Sequence, residues 1–201
     1  MIRNILLAGV GGQGTILMSD ILSEGLIELG HDVKMSEIHG MAQRGGSVVT
    51  QIRFGEKVYS PLISEGEADV IVAFEKAEAL RALPYLKAGG TLLTDECEIY
   101  PVSVLMGASS YPHDALEKIS SAGVRVHIVR ATQTAASLGN VRAQNICLLG
   151  ALVGILKLEK ADWEALISRF VPEKARPVNL KAFRAGYDLM ASRQPRPDVL
   201  S

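Results

Sequence analysis

A glycine-rich turn near the amino terminus constrains the fold more than any other stretch of the sequence. Residues 4–14 read N-I-L-L-A-G-V-G-G-Q-G, an apolar run that leads into a turn with four glycines. A segment with apolar residues at helical spacing follows at once. A strand, a glycine turn and a helix in this order are typical of a phosphate-binding α/β sheet, where free N–H groups at the helix start face an anion.

We therefore predict that this turn either contacts an anion or another subunit, or only allows a tight strand-to-helix connection. The candidate cofactor-binding residues of the turn are Gly9, Gly11, Gly12, Gln13 and Gly14.

The rest of the chain predicts an α/β fold with three layers and a Rossmann-like, mostly parallel sheet. The strands predicted after the turn are 33–38, 47–54, 68–75, 91–94, 124–129 and a short edge strand at 99–105. A β-hairpin insertion is predicted to pair 47–54 with 57–60. The predicted helices are 15–29, 76–86, 114–122, 132–138, 142–156, 161–170 and 178–193.

The pattern predicts one domain over residues 1–193, with helices at its carboxyl end and a loose tail at 194–201. Gly150 and Gly154, four residues apart on one face of a long apolar helix, predict that another helix approaches closely there.

Charge and composition argue against several classes of partner. The formal net charge is −1 and no basic run occurs, so we expect no nucleic-acid partner. No apolar stretch is long enough to span a bilayer, and the first residues enter a strand without room for a signal peptide. We expect a cytoplasmic protein with no membrane partner.

The chain has two cysteines, Cys97 and Cys147, and they form no C-x-x-C motif. An iron–sulfur cluster or a zinc site cannot be built from them alone, and we predict no metal site. Cys147 lies in an apolar helical run and is expected in the core. Cys97 follows Asp95 and Glu96, whose charges should raise the pKa of its thiol. These two acids follow a predicted strand, so they mark either a ligand site or a solvated strand end.

Three motifs follow one another along the chain. They are G-V-G-G-Q-G at 9–14, H-G-M-A-Q-R-G-G at 39–46, and Gly139 with Asn140 before the long apolar helix. Together they resemble the gamma subunit or gamma domain of 2-oxoacid:ferredoxin oxidoreductases. With residues 59–63 and 65–69 included, the pattern is most similar to the beta subunits of indolepyruvate ferredoxin oxidoreductases. The resemblance covers nearly the whole chain.

The resemblance implies a reaction in which a 2-oxoacid is decarboxylated on thiamine diphosphate and oxidised through iron–sulfur clusters to ferredoxin, with coenzyme A as co-substrate that takes the acyl group. The chain lacks a G-D-G stretch followed by an Asn-containing segment, which would hold magnesium and thiamine diphosphate. Thiamine diphosphate, Mg and the iron–sulfur clusters are therefore expected on a catalytic partner subunit. This chain would be an accessory subunit of a hetero-oligomer, inactive by itself.

Under this resemblance, the 39–46 loop is expected to face the active site of the partner. Arg44 is a permanent planar cation suited to a carboxylate or a phosphate, and His39 titrates near neutral pH when unperturbed. The alternative is that the loop is only a structural plug. The catalytic candidates are His39, Gln43 and Arg44, and the further cofactor-binding candidates are Gly45, Gly46 and Asn140.

Two other functions remain open at this point. A stand-alone NAD(P)-dependent Rossmann oxidoreductase would use the glycine turn and Glu37, which lies about 20 residues further on, where a ribose-binding acid is expected. A nucleotide-sensing or assembly module would bind a nucleotide without turnover. Binding of NADH to the isolated chain would favour the first, whereas a co-purifying partner with iron–sulfur clusters would favour the resemblance.

Overall fold

The fold is built on one mixed sheet. The computed structural model describes residues 2–39 and 45–191. The strands are β1 (Arg3–Val10), β2 (Asp32–His39), β3 (Ser47–Gly55), β4 (Ala68–Ala73), β5 (Leu86–Asp95) and β6 (Arg125–Val129). They lie in the order β2-β3-β1-β4-β5-β6. Neighbours β1, β4, β5 and β6 are parallel, and β3 runs antiparallel to both β1 and β2.

The predicted hairpin between 47–54 and 57–60 is wrong, because β3 pairs with β2 on one side and with β1 on the other. Residues 57–60 form no strand, and this segment is held by Asp32 of β2, which accepts from the Val58 N–H at 2.9 Å, and by Arg53 of β3. The Arg53 guanidinium donates to the Ser60 carbonyl at 3.3 Å and to the Leu62 carbonyl at 2.9 Å. The antiparallel hairpin of this fold is therefore β2–β3.

The helices are α1 (Thr15–Glu28), α2 (Lys76–Ala82), α3 (Val102–Leu105), α4 (Ala115–Ser121), α5 (Ala131–Ser137), α6 (Gln144–Leu156), α7 (Trp163–Phe170) and α8 (Arg176–Ala191). The edge strand predicted at 99–105 is wrong, because α3 occupies this segment. Pro101 precedes α3 with a φ of −61°, which suits the start of a helix. Arg193 and the predicted tail at 194–201 lie outside the described residues.

A separate hydrophobic core covers each face of the sheet, and successive side chains of β1 point into the two cores in turn. Ile5 and Leu7 pack in the core that contains residues of α1, α6 and α8. Leu6 and Ala8 pack in the core that contains residues of α2 and α4. The predicted three-layer α/β fold with carboxyl-terminal helices is confirmed. Among the described residues, no helix combines the length and the apolar character needed to cross a membrane.

The predicted close approach at Gly150 and Gly154 is confirmed. A Cβ on Gly150 would overlap the Phe183 carbonyl oxygen of α8, and a Cβ on Gly186 of α8 would overlap the Cys147 carbonyl oxygen of α6. A Cβ on Gly154 would lie 3.2 Å from the Met190 Cβ. The two helices thus meet backbone to backbone through glycines.

Candidate functional site

Two of the predicted motifs meet at the carboxyl edge of the sheet. The Gly11 N–H donates to the Gly46 carbonyl at 2.8 Å, and the Gly45 N–H donates to the Gly11 carbonyl at 3.3 Å. Val48 of β3 pairs with Gly9 on one side and with the backbone of His39 on the other. The structure therefore brings together the glycine turn and both ends of the second loop.

The structure describes the two ends of the second loop but not its central part. Gly40 and residues 41–44, which include the candidates Gln43 and Arg44, lie outside the described residues. Their roles stay predictions that rest on the sequence. The position of Gly45 on Gly11 nevertheless sets where the loop rejoins the sheet.

The glycine turn has the backbone conformation that its sequence requires. Gly12 has a φ of +104°, and Gly14, the N-cap of α1, has a φ of +78°. Residues with a Cβ rarely adopt these values. Within the described parts of the chain, no hydrogen-bond acceptor is found for the N–H groups of Gly12, Gly14 and Thr15. These donors and the positive end of the helix dipole can act on an anion.

A cavity of about 400 Å³ opens beside these donors, toward β2 and β3. Glu37 of β2 contributes a carboxylate to its wall, and the Ser19 hydroxyl lies 3.4 Å from that carboxylate. A ligand in this space would meet N–H donors on one side and a carboxylate acceptor on the other. The cavity is lined by Gly11, Gly12, Gly14, Thr15, Ile16, Glu37 and Val48.

On the other side of the turn, the crevice between β1 and β4 is closed. This is the topological switch point of the sheet, because α1 follows β1 onto one face and α2 follows β4 onto the other. Open α/β sheets bind dinucleotides across such a crevice. Here the Gln13 and Gln144 side-chain amides donate to the Phe74 carbonyl, at 2.9 and 2.7 Å. The space that a dinucleotide would cross is occupied by the protein.

Asp95 is neither a solvated strand end nor an open ligand site, since it is only 1% exposed. Its Oδ2 accepts from the Thr132 N–H at 2.8 Å, the Thr132 hydroxyl at 2.5 Å and the Gln144 amide at 2.8 Å. The carboxylate therefore ties the end of β5 to α5 and α6. Glu96 faces outward and forms an ion pair with Arg130 at 2.9 Å.

The two cysteines are poor nucleophiles. The Cys97 thiol donates to the Phe74 carbonyl at 3.0 Å, and burial, with a smaller effect of the Asp95 charge, raises its pKa to about 12. Cys147 is 1% exposed in α6, and burial raises its pKa to about 12 as well. The predicted core position of Cys147 and the raised pKa of Cys97 are confirmed. In the part of the chain that the structure describes, no cluster of metal-binding side chains occurs.

The structure gives Asn140 a local contact, since its Oδ1 accepts from the Arg142 N–H at 3.1 Å and caps the short turn before α6. A role of Asn140 in cofactor binding stays a prediction. From the start of α6, both Gln144 and Asn145 reach the glycine turn: the Gln144 Oε1 accepts from the Gln13 amide at 3.3 Å, and the Asn145 Nδ2 donates to the Gly14 carbonyl at 3.0 Å. The signal in the sequence is the pair Gln144 and Asn145, two amides at the start of an otherwise apolar helix.

Comparison with known proteins decides the family. The family described as pyruvate ferredoxin/flavodoxin oxidoreductase matches residues 4–189. The chain belongs to this family. Indolepyruvate oxidoreductase subunit IorB of Thermococcus kodakarensis is 40% identical over 188 residues, which are 91% of this chain and 93% of that protein.

Two solved structures share the fold. The gamma subunit of a keto/oxoacid ferredoxin oxidoreductase from Geobacter sulfurreducens superposes with a TM-score of 0.69 at 24% identity, over 94% of this chain and 99% of that one. A 2-oxoglutarate:ferredoxin oxidoreductase from Magnetococcus marinus, with 2-oxoglutarate, coenzyme A and succinyl-CoA bound, gives a TM-score of 0.73 at 22% identity. That match covers 96% of this chain and 32% of the other. The predicted family is confirmed, its members here are subunits of oxidoreductase complexes, and none of these similarities favours the NAD(P) alternative.

Proposed function

We propose that this chain is the small, gamma-type subunit of a cytoplasmic 2-oxoacid:ferredoxin oxidoreductase, with indolepyruvate or a related aryl pyruvate as substrate. The complex would oxidatively decarboxylate the 2-oxoacid to an acyl-CoA. The observation that carries the proposal is the 40% identity to an IorB subunit across nearly all of both chains. The functional unit would be one gamma-type domain over residues 1–193.

The chemistry is divided between chains in this proposal. Thiamine diphosphate, Mg and the iron–sulfur clusters belong to a catalytic partner subunit, ferredoxin accepts the electrons, and coenzyme A is the co-substrate. The chain offers only two thiols, and each is buried or hydrogen-bonded with a pKa raised to about 12. Cluster ligands are thiolates, so these cysteines are unsuited to the role.

We place the surface that acts on the partner at the glycine turn and the second loop. The N–H groups of Gly12, Gly14 and Thr15 have no acceptor among the described residues, and these three residues line a cavity whose edge is continuous with the loop through the pairing of Gly11 with Gly45. Arg44 would add a cation for the oxoacid carboxylate or for the phosphates of thiamine diphosphate or coenzyme A. His39 and Gln43 would orient the same groups, and Gly46 would allow close approach.

A stand-alone NAD(P) enzyme receives less support from this geometry. Its dinucleotide would cross the switch point between β1 and β4, and the amides of Gln13 and Gln144 occupy that crevice. Glu37 lines a cavity on the other side of the turn, so it alone does not restore a dinucleotide site.

The test is co-expression with the large subunit that co-purifies from native cells. The complex should reduce ferredoxin in the presence of indolepyruvate and coenzyme A, and it should be less active with pyruvate and 2-oxoglutarate. Neither chain alone should do so. An isolated chain that turns over a substrate with NADH, or a complex inactive toward every 2-oxoacid, would overturn the proposal.

The loop is tested separately in the active complex. Replacing Arg44 with Ala should raise the KM for indolepyruvate or coenzyme A about tenfold or more, because a hydrogen bond to a charged group contributes about 1.5–3 kcal/mol. Lys57→Ala is the matched control, since Lys57 is an exposed cation on the segment after β3. Unchanged kinetics in Arg44→Ala would refute the contact.

A further inference from the structure

We propose that Gln13 and Gln144 are positioning residues. Their paired amides lock the glycine turn against β4 and thereby keep the N–H groups of Gly12, Gly14 and Thr15 in place beside the cavity at β2. The inference deepens the proposed function, because it assigns two residues that hold that site in shape.

The first half of the lock is Gln13, whose amide spans the turn. Its Oε1 accepts from the Val10 N–H at 2.7 Å, and its Nε2 donates to the Phe74 carbonyl at 2.9 Å. A second donor contact joins Nε2 to the Gln144 Oε1 at 3.3 Å. An amide nitrogen has two hydrogens, and both are used. The turn is thus held at its first residue and tied to the end of the neighbouring parallel strand.

The second half is Gln144, the first residue of α6, which is 6% exposed. Its Nε2 donates to the Phe74 carbonyl at 2.7 Å and to the Asp95 Oδ2 at 2.8 Å. The contact to the carboxylate is charge-assisted and stronger than a neutral hydrogen bond. Because Thr132 also donates to Asp95, the lock extends across β5 to α5.

The chemistry of the contacts favours an amide at position 13. One side chain there accepts from the Val10 N–H and also donates to the Phe74 carbonyl, which in addition accepts from the Gln144 amide and the Cys97 thiol. A carboxylate there would place an oxygen against the Phe74 carbonyl, and a methionine would fill the space without either hydrogen bond. Gly9 leaves room for the side chain, since a Cβ on Gly9 would lie 3.1 Å from the Gln13 Oε1.

The consequence lies at the opposite side of the turn. Gly12 and Gly14 have positive φ values, and the remaining hydrogen bonds to the turn lie at Gly11, at the Gln13 N–H and at the Gly14 carbonyl. A turn without the Gln13 side-chain contacts would therefore sample other conformations more often and scatter its N–H donors. Donors that are held in place before binding act more strongly on a ligand than donors that must be ordered by it. The lock should therefore affect ligand affinity beyond its effect on stability.

The experiment compares Gln13→Met, Gln13→Glu and Gln144→Met with the matched control Asn179→Ala. Asn179 is a buried amide in α8 that donates to the Ala175 carbonyl at 2.8 Å, away from the turn. Hydrogen exchange at the Val10 and Gly12 amides is measured in the isolated full-length chain. The KM and kcat for coenzyme A and indolepyruvate are measured in the complex, together with Tm.

We expect Gln13→Met to accelerate exchange at Val10 at least tenfold and to raise KM for one of the two substrates about tenfold, with kcat little changed. Gln13→Glu should do at least as much. The double variant Gln13→Met/Gln144→Met should show a smaller fold-change in exchange rate and in KM than the product of the two single fold-changes, because the two amides share one acceptor. Asn179→Ala should lower Tm without changing exchange at the turn or KM.

The proposal is overturned if Gln13→Met lowers Tm as Asn179→Ala does and leaves exchange and KM unchanged. Failure of the proposed function is a separate outcome, namely that the wild-type complex lacks 2-oxoacid activity. In that case only the exchange rates test whether Gln13 holds the turn. Faster exchange at Val10 in Gln13→Met supports the proposal, and unchanged exchange refutes it.

Discussion

Glycines at the carboxyl edge of the sheet and glycines in the helical layer are there for different reasons. In the turn, Gly12 has a φ of +104° and a Cβ built on it would meet no atom of the described residues within 4 Å. Between α6 and α8, the glycines have ordinary helical backbones, but a Cβ on Gly150 or Gly186 would overlap a carbonyl oxygen of the other helix. The first group is needed for its backbone angles and the second for the volume it leaves empty.

The comparison teaches that one substitution, Gly to Ala, tests two different kinds of constraint in the same molecule. In the turn, the cost is conformational and local, and the site should lose function before the domain loses stability. In the helical layer, the cost is steric and is shared by two long helices, and the domain should lose stability first.

The largest effect is expected for Gly150→Ala. Alanine favours a helix over glycine by about 1 kcal/mol, but its methyl group would collide with the Phe183 backbone, which no side-chain rotation can relieve. Overpacking costs about 1–3 kcal/mol and reaches the upper end when backbone must move. We expect the free energy of unfolding, measured by urea denaturation, to fall by about 3 kcal/mol.

Gly154→Ala is the matched control on the same helix. Its Cβ would lie 3.2 Å from the Met190 Cβ and 3.4 Å from the Tyr187 carbonyl oxygen, which small adjustments can accommodate. The gain in helix propensity should offset this, so stability should stay within about 1 kcal/mol of wild type. Equal losses in the two variants would contradict the steric explanation for Gly150.

A smaller effect is expected for Gly14→Ala, in which both constraints act together. A left-handed conformation costs an L-residue about 1–2 kcal/mol, and the new methyl group would also displace the Asn145 amide from the Gly14 carbonyl. The lost hydrogen bond adds about 1 kcal/mol. We expect unfolding free energy to fall by about 2 kcal/mol in urea titrations. The double variant Gly14→Ala/Asn145→Ala should lose less unfolding free energy than the sum of the two single losses, because the new methyl group then has no amide to displace. A loss equal to that sum would mean that the methyl group and the Asn145 amide do not overlap.

Gly12→Ala isolates the conformational constraint, because its Cβ would enter open space. We expect a loss of about 1 kcal/mol in stability, together with a KM increase in the assembled complex that Gly150→Ala does not show. Thermal denaturation and steady-state kinetics on the same preparations make the comparison. A Gly12→Ala complex with wild-type kinetics would mean that the turn faces no ligand.

The smallest effects are expected from changes in pH, which compare one ion pair beside the sheet edge with one ion pair in the helical layer. A hydrogen bond from the Lys76 ammonium lowers the pKa of Glu98 beside the sheet edge, and one from the Arg184 guanidinium lowers the pKa of Glu164 in the helical layer. A carboxyl whose pKa is lower in the folded state stabilises above its unfolded pKa, and this stability is lost as pH falls through the folded value. The Tm gaps between wild type and Glu98→Gln or Glu164→Gln should be present at pH 7, begin to shrink below about pH 4.5 and close only below the lowered pKa of the folded state.

Salt separates the two pairs. Lys76 is 11% exposed and also donates to the His113 carbonyl at 3.2 Å, whereas the Arg184 side chain is 59% exposed. Exposed pairs are screened more strongly, so 0.5 M NaCl should reduce the gap for Glu164→Gln more than that for Glu98→Gln. An equal response would mean that the pair at the sheet edge is no better shielded than the surface pair.

Much of the fold and part of the site could be predicted without coordinates. The turn, the buried strand at 68–75 and the long apolar helix each have a strong local pattern, and each was found close to its observed bounds. The hairpin at 47–60 failed because the partner of a strand is chosen by contacts distant in the chain. The strand at 99–105 failed because the segment is too short for its local pattern to distinguish strand from helix.

The candidate site divides in the same way. The residue types of the turn and the second loop identified the edge of the sheet where they meet, but no spacing rule pairs Gln13 with Gln144, which are 131 residues apart. The burial of Asp95 was equally hidden, because two helices distant in sequence cover it.

By itself, the sequence determined most of the strands and helices, the position of the glycine turn and the family, since periodicity, turn chemistry and motif spacing are all properties of neighbouring residues. Only the tertiary structure decided which strands pair with β3 and that two distant amides close the crevice between β1 and β4. It also decided which glycines are needed for their backbone angles and which for close helix packing. These depend on where the faces of separate elements come to lie, and a side chain acquires its partners only when the sheet and the helices have packed.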